Sequence, residues 1–179
     1  STDSFYVIKD ELRFNDITAT YSSQCDKKFN FFLLKTYNVS ANKKKIQREK
    51  NILSKKYSKH IVYLDDSNSF EPDNKIHIPY YPIGNLESII IKKDFNLTGR
   101  TSSYYKINIA DKLTFILEIA TALNDLHDNN EYHGNLSDQH IYIDSKRNAY
   151  LGGILYDTKL EGDSTKPKGP FYYRSPEFS

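Results

Sequence analysis

The first 83 residues contain no glycine; all seven glycines lie at or beyond Gly84. Glycine enters left-handed backbone conformations at no steric cost, so a stretch without it cannot use glycine turns or fold its bare backbone over a ligand. Turns here must be made by Asn, Asp and Ser, whose short side chains bond to nearby backbone. Between them lie short runs rich in aromatic and β-branched residues: FYVI, DITATY, NFFLLKTY, IVYLDD and KIHIPYY read as strands. After the third run, from about Asn42 to Lys56, the spacing of Ile46, Glu49, Ile52 and Leu53 predicts a lysine-rich amphipathic helix.

Pro79, Pro82 and Gly84 break the last of these strands and start a loop. After a polar insertion at about residues 92–108, ADKLTFILEIATALNDLH places Leu113, Ile116, Leu117, Ala120 and Leu123 on one helical face. EYHGNLSDQHIYIDSKRNAYLGGILYD reads as two short strands around a turn, and KLEGDSTKPKGP as a loop. No repeat is visible at a solenoid period.

The 179 residues fit one domain of ordinary size, and 38% apolar with 27% charged content excludes a disordered or collagen-like chain. No stretch reaches the roughly 20 apolar residues of a membrane span, and STDSFYVIKDEL lacks the order of a signal peptide, so a cytoplasmic protein is expected. Cys25 is the only cysteine, which rules out an internal disulfide and a cysteine-based zinc site. The chain begins with Ser1 and has no methionine, so it reads as a processed or excerpted piece.

The net charge of +2 hides a segregation, because residues 27–59 carry eleven Lys/Arg and the single acid Glu49. An anionic partner is one reading; a solvated helix face in a lysine-rich chain is the one adopted. His127, His133 and His140 lack the i,i+4 spacing of a helical zinc pair and read as a core histidine plus two polar ones. The sequons opened by Asn38, Asn96 and Asn135 are expected by chance in an Asn-rich chain.

The order of these elements resembles the protein kinase fold, and six motifs between about Phe5 and Glu177 agree with it. FLLK at 32–35 is similar to the Val-Ala-Ile-Lys strand, Glu49 in REKNIL to the helix-C glutamate, and PYYPIGNL at 79–86 to the hinge. HGNLSDQHIYID at 133–144 resembles the catalytic loop, with eighteen residues from Asn135 to Gly153. Gly153-Ile154-Leu155 stands at the Asp-Phe-Gly position, and GPFYYRSPE at 169–177 resembles the end of the activation segment, with Pro176 and Glu177 in place.

The resemblance implies an α+β, bilobal protein-kinase-like fold. Residues 1–81 would form a five-stranded antiparallel small lobe with helix C at about 42–56. Residues 82–179 would form the hinge and an incomplete, mainly helical large lobe. It also assigns roles, and several are vacated. The catalytic aspartate falls at Asn135, whose amide cannot act as a base. The phosphate-steadying lysine falls at Ser137, and the two magnesium ligands fall at His140 and Gly153, so no metal site is expected.

The Gly-rich phosphate loop falls on Leu12 to Ala19, without glycine, and Leu33 replaces a small residue above the adenine. Lys35, Glu49, Leu33, Ile78, Pro79 and Tyr81 would form a vestigial nucleotide site, with Tyr80 or Tyr81 placed to stack on adenine. Lys35 and Glu49 would pair either to hold phosphates or simply to dock the helix. His133, Ile154 and Leu53 match positions of the internal hydrophobic spine, and Gly134 replaces the arginine that gathers activation-loop phosphates.

The function expected is that of a pseudokinase: an allosteric or scaffolding module for a protein partner, such as an active kinase, with nucleic acid the lesser reading. It requires no cofactor and binds ATP at most weakly and without metal. The alternatives are a divergent active kinase that phosphorylates protein Ser, Thr or Tyr, and a degenerate fragment without function.

Overall fold

The hairpin at residues 25–31 shows how this chain turns without glycine. Asp26 and Asn30 close it, with the Asp26 N–H donating to the Asn30 carbonyl and the Phe29 N–H to the Asp26 carbonyl, both at 3.0 Å. Asp26 Oδ1 accepts the N–H groups of Lys28 and Asn30 at 2.8 and 2.9 Å, and Oδ2 accepts the Asn30 side-chain amide at 2.8 Å. Phe29 takes the left-handed position at φ 61° with its ring 76% exposed.

Residues 144–148 repeat the device in the same Asp-x-Lys-x-Asn order. Asp144 Oδ1 accepts the N–H groups of Lys146 and Asn148, Oδ2 accepts the Asn148 amide, and Arg147 sits at φ 64°. Side-chain acceptors fixed around one carboxylate do here what glycine's conformational freedom does elsewhere.

These turns organise the computed structural model, which describes residues 6–7, 13–15, 19–38, 43–64, 73–94 and 107–154. The first sheet is antiparallel and holds β1 (Tyr6–Val7), β2 (Arg13–Asn15), β3 (Ala19–Cys25), β4 (Phe31–Tyr37) and β5 (Lys75–Pro79). Both β1 and β2 pair with β3, which pairs with β4, which pairs with β5. The five-stranded count expected from sequence holds, but its membership differs. FYVI supplies β1, β2 falls outside every run read as a strand, and the described part of IVYLDD, residues 61–64, contributes no strand to this sheet. Ile61 instead forms an isolated parallel bridge to Leu151, with Val62 N–H donating to the Leu151 carbonyl at 3.0 Å.

Helix α1 (Lys43–Lys55) lies where the spacing predicts and buries Ile46, Glu49, Ile52 and Leu53. Lys56, at φ 52°, follows it in the left-handed turn that usually falls to glycine.

After the hinge the expected loop is instead β6 (Gly84–Asn85) followed by helix α2 (Leu86–Asp94). Asn85 caps this helix, its Oδ1 accepting the Ser88 N–H at 2.9 Å, while its amide donates to the Gln139 carbonyl at 3.1 Å. Gly84 makes the bend at φ 96°. β6 joins β7 (Ile141–Ile143) and β8 (Ala149–Leu151) in a second antiparallel sheet, which confirms the two strands read from sequence.

The long helix α3 (Ile109–Asp128) starts in a capping box between Asn108 and Asp111. Its orientation departs from the expectation, of whose face Leu123 alone packs against the core. Phe115, Glu118, Ile119, Ala122 and Leu126 face inward, whereas Leu113, Ile116 and Leu117 are 60–68% exposed. Both stripes are apolar, and the one chosen by contact with β8 is the one containing Glu118. That carboxylate accepts the Ala149 N–H at 2.9 Å and lies 3.2 Å from His60 Nδ1.

Among the described residues no helix is long and apolar enough to cross a membrane. The 169–177 motif, Leu155, half of the 12–19 run (Leu12 and residues 16–18) and most of the 92–108 insertion lie outside the described residues.

Asp144→Ala removes four acceptor bonds, including that from the Tyr150 hydroxyl. It should cost about 2 kcal/mol of stability. A denaturant titration measures this; an unchanged midpoint would show that the turn holds its shape without the carboxylate.

Candidate functional site

Lys35 and Glu49 meet at the centre of the first lobe. β4 places Leu33, Lys35 and Tyr37 on the face that looks toward α1, and α1 offers Glu49 among its buried apolar residues. Lys35 Nζ stands 2.9 and 2.8 Å from the two carboxylate oxygens, and both side chains are 2% exposed. Tyr21 lies directly opposite Lys35 in the β3–β4 register. The ammonium lies 5.1 Å from the Tyr21 ring centroid and 4.5 Å from that of Tyr37. Two of its three hydrogens serve Glu49 and aromatic faces cover it, an arrangement favoured by ring quadrupoles.

The 133–140 segment faces this pair across the cleft. His133, Asn135, Ser137 and His140 are all buried. The Asn135 N–H donates to His133 Nδ1 at 3.1 Å, so His133 carries its proton on Nε2, which donates to the Gly152 carbonyl at 2.5 Å. Burial lowers the pKa of His133 to about 3, against the opposing effect of that carbonyl. The ring is therefore a neutral brace between the segment and Gly152.

His140 Nδ1 lies 3.0 Å from Ser137 Oγ, and its ring lies against Gly153. A Cβ at 153 would overlap that ring, and φ +68° itself favours glycine. The Tyr21 ring closes the space from above, with its centroid 6.0 Å from that of His140. Ile154 and Leu53 are fully buried in the common core, as their assignment to a spine requires.

The hinge end of the cleft is also filled. Leu33 pairs with Ile78 in the β4–β5 ladder, Phe32 with Pro79, and both Leu33 and Ile78 are core residues. Tyr81 is turned inward and stacks on Tyr142 at 5.1 Å, with Tyr150 at 5.4 Å. Burial, with Tyr150 beside it, pushes its hydroxyl well above the usual phenol range. Tyr80 packs on Phe31 instead. The three histidines considered for zinc do not converge: His127 packs on Tyr132, and the other two have the roles given above.

The family described as protein tyrosine and serine/threonine kinase has a sequence model that matches residues 14–178. The chain belongs to the protein kinase family. Among solved structures this kinase domain is similar to Rad53 1-466 in complex with AMP-PNP, with a TM-score of 0.61 and 16% identity over 84% of its length. That likeness is one of fold, and the chain spans 38% of the length of the Rad53 chain. No curated protein matches the sequence.

Membership implies ATP and magnesium, and the described residues of this kinase domain do not fit them. Magnesium takes oxygen ligands in near-octahedral geometry, while the positions assigned to its ligands hold an imidazole and a glycine packed on each other. A phosphate oxygen bound to Lys35 would sit about 3 Å from Nζ, but Lys35 is buried, with Glu49 bonded to it and the Tyr21 and Tyr37 ring centroids 5.1 and 4.5 Å away. Sequence reasoning found Lys35, Glu49, His140 and Gly153 but missed Tyr21, Tyr37 and Tyr142. The signal for Tyr21 was present in the turn centred on Lys28, which pairs position 21 with 35.

Two outcomes follow from this chemistry. Lys35→Met strands a buried carboxylate and should destabilise the domain by about 3–5 kcal/mol, whereas Lys35→Met with Glu49→Leu should recover most of the loss. Thermal or chemical melts of the two variants decide it; equal losses would mean that the pair does not act as a unit.

His133 titrates near 6.5 when unfolded and near 3 when folded, so below pH 6.5 the unfolded chain binds the extra proton. The His133 contribution is complete above that pH and is lost as acid approaches pH 3. Stability should fall between pH 7 and 5 with a slope that His133→Asn reduces, as denaturation midpoints across that range would reveal.

Proposed function

We propose that this kinase domain is a pseudokinase, retained for binding a protein partner as an allosteric or scaffolding module and not for phosphoryl transfer. The observation that carries the reading is the packing of His140 on Gly153 at the two positions assigned to magnesium ligands. Phosphoryl transfer is mostly positioning and charge neutralisation, so a kinase without metal ligands and a base loses the terms that matter most. Asn135 supplies no base, and Ser137 bonds to His140 instead of steadying a phosphate.

What remains is a two-lobed framework held by specific contacts. Lys35 and Glu49 dock the helix, His133 braces the second lobe against Gly152, and Arg48 on α1 reaches Glu131 after α3 at 2.7 Å. Such a framework needs no nucleotide to hold its shape. A protein partner, with an active kinase among the fitting classes, would read its surface, where Lys43 and Lys44 of the basic helix are exposed.

The test is incorporation of labelled phosphate from ATP, with magnesium or manganese, into the chain itself and into generic protein substrates. No incorporation above background is expected. Incorporation that survives repurification and maps to defined residues would establish the alternative, a divergent active kinase.

A further inference from the structure

The proposal above concerns catalysis; the cleft itself carries a further feature. Tyr21 comes from β3 in the first lobe, is 1% exposed, and touches groups on both sides of the cleft. On one side its ring lies over Lys35, which is already bonded to Glu49. On the other it meets His140, which is held by Ser137 and seated on Gly153. In a kinase the volume between that lysine and those two positions is where nucleotide phosphates and metal lie.

We propose that Tyr21 is a built-in plug that fills the phosphate region of the cleft and takes over the nucleotide's job of bridging the lobes. The lobe arrangement is then fixed by a side chain and is independent of ATP.

Three features of the site fit together on this account. Lys35 needs no phosphate, because a carboxylate and two aromatic faces satisfy its charge. The tyrosine is held at this depth by strand register, since its cross-strand partner is Lys35 itself. Gly153 leaves room for the His140 ring, which supplies the floor on which the plug rests; any side chain at 153 would displace it. The inference rests on the non-catalytic reading but makes a separate claim, that the cleft is closed and not merely inert.

The experiment is calorimetric titration of the full chain with ATP, once with magnesium and once with EDTA, in wild type, Tyr21→Phe and Tyr21→Val. Wild type and Tyr21→Phe, which keeps the ring, should bind no nucleotide at millimolar ATP. Tyr21→Val should bind with a Kd at least about tenfold below the highest ATP concentration at which wild type shows none, equally with and without metal. ATP binding by wild type, or a folded Tyr21→Val protein that binds no better, would overturn the plug.

A second measurement needs no variant: a lysine-reactive acyl phosphate of ATP should leave Lys35 of wild type unlabelled, and labelling there would also overturn it. The two proposals separate cleanly. Nucleotide binding by wild type without phosphate incorporation sinks the plug alone, and Tyr21→Val that binds ATP but transfers nothing supports both. Phosphate incorporation by wild type sinks both.

Discussion

The Lys35–Glu49 ion pair is the constraint around which the first lobe is arranged. A charge taken out of water is costly unless a partner of good geometry meets it, and this pair is almost fully buried with both carboxylate oxygens within bonding distance of the ammonium. The pair fixes where α1 can sit, because Glu49 reaches Lys35 only when Ile46, Ile52 and Leu53 are turned inward beside it. It also fixes what may surround it. Aromatic rings on the open side exclude water and strengthen the attraction, so Tyr21 and Tyr37 belong to the same electrostatic solution. A pair that in other kinases serves a nucleotide is here sealed into the core.

The replacements in the second lobe are matched to each other. Loss of separate functional groups one at a time would leave holes and unpaired atoms, each costly in a close-packed interior. At this site the larger group introduced at 140 is accommodated by the smallest residue at 153, and Ser137 bonds to the imidazole that arrived. The links between lobes are equally specific. Residues 60–62 pair with β8, Glu118 lies 3.2 Å from His60 Nδ1, and Tyr81 stacks on Tyr142. The close fit of His140, Ser137 and Gly153 is what the non-catalytic reading proposed above requires of this cleft.

Much of this was legible in the sequence where one physical rule acted alone. The buried set of α1 follows from helical spacing, the β7–β8 hairpin from two apolar runs around an Asp-x-Lys-x-Asn turn, and the vacated positions from motif order. The failures occur where two rules competed. α3 has apolar residues on both sides, so periodicity could not choose between them; a buried Glu118 serving the Ala149 N–H decided the face, and spacing is blind to that bond. IVYLDD has the composition of a strand but was claimed by β8 through Ile61 and Val62. The run LESIIIKKD is rich in β-branched residues and follows two prolines and a glycine, which hides a helix start that only the Asn85 cap reveals.

Tyr21 connects these levels from turn to cleft. Side chains alternate across a strand, so a slip of one residue in the β3–β4 register would turn Tyr21 to the opposite face and leave Lys35 opposite a serine or threonine. The register is set at the hairpin, where the Asp26 carboxylate gathers Lys28 and Asn30 and admits Phe29 to a left-handed conformation. The turn is symmetrical about Lys28, and the pairing of Cys25 with Phe31 continues without a bulge to Tyr21 with Lys35 and Ala19 with Tyr37. The glycine-free chemistry of an exposed turn thus specifies, fourteen residues apart in sequence, which ring covers the buried lysine. In a chain without glycine in its first 83 residues, the same absence is met by a turn whose geometry sets Tyr21 against Lys35, as the proposed plug requires.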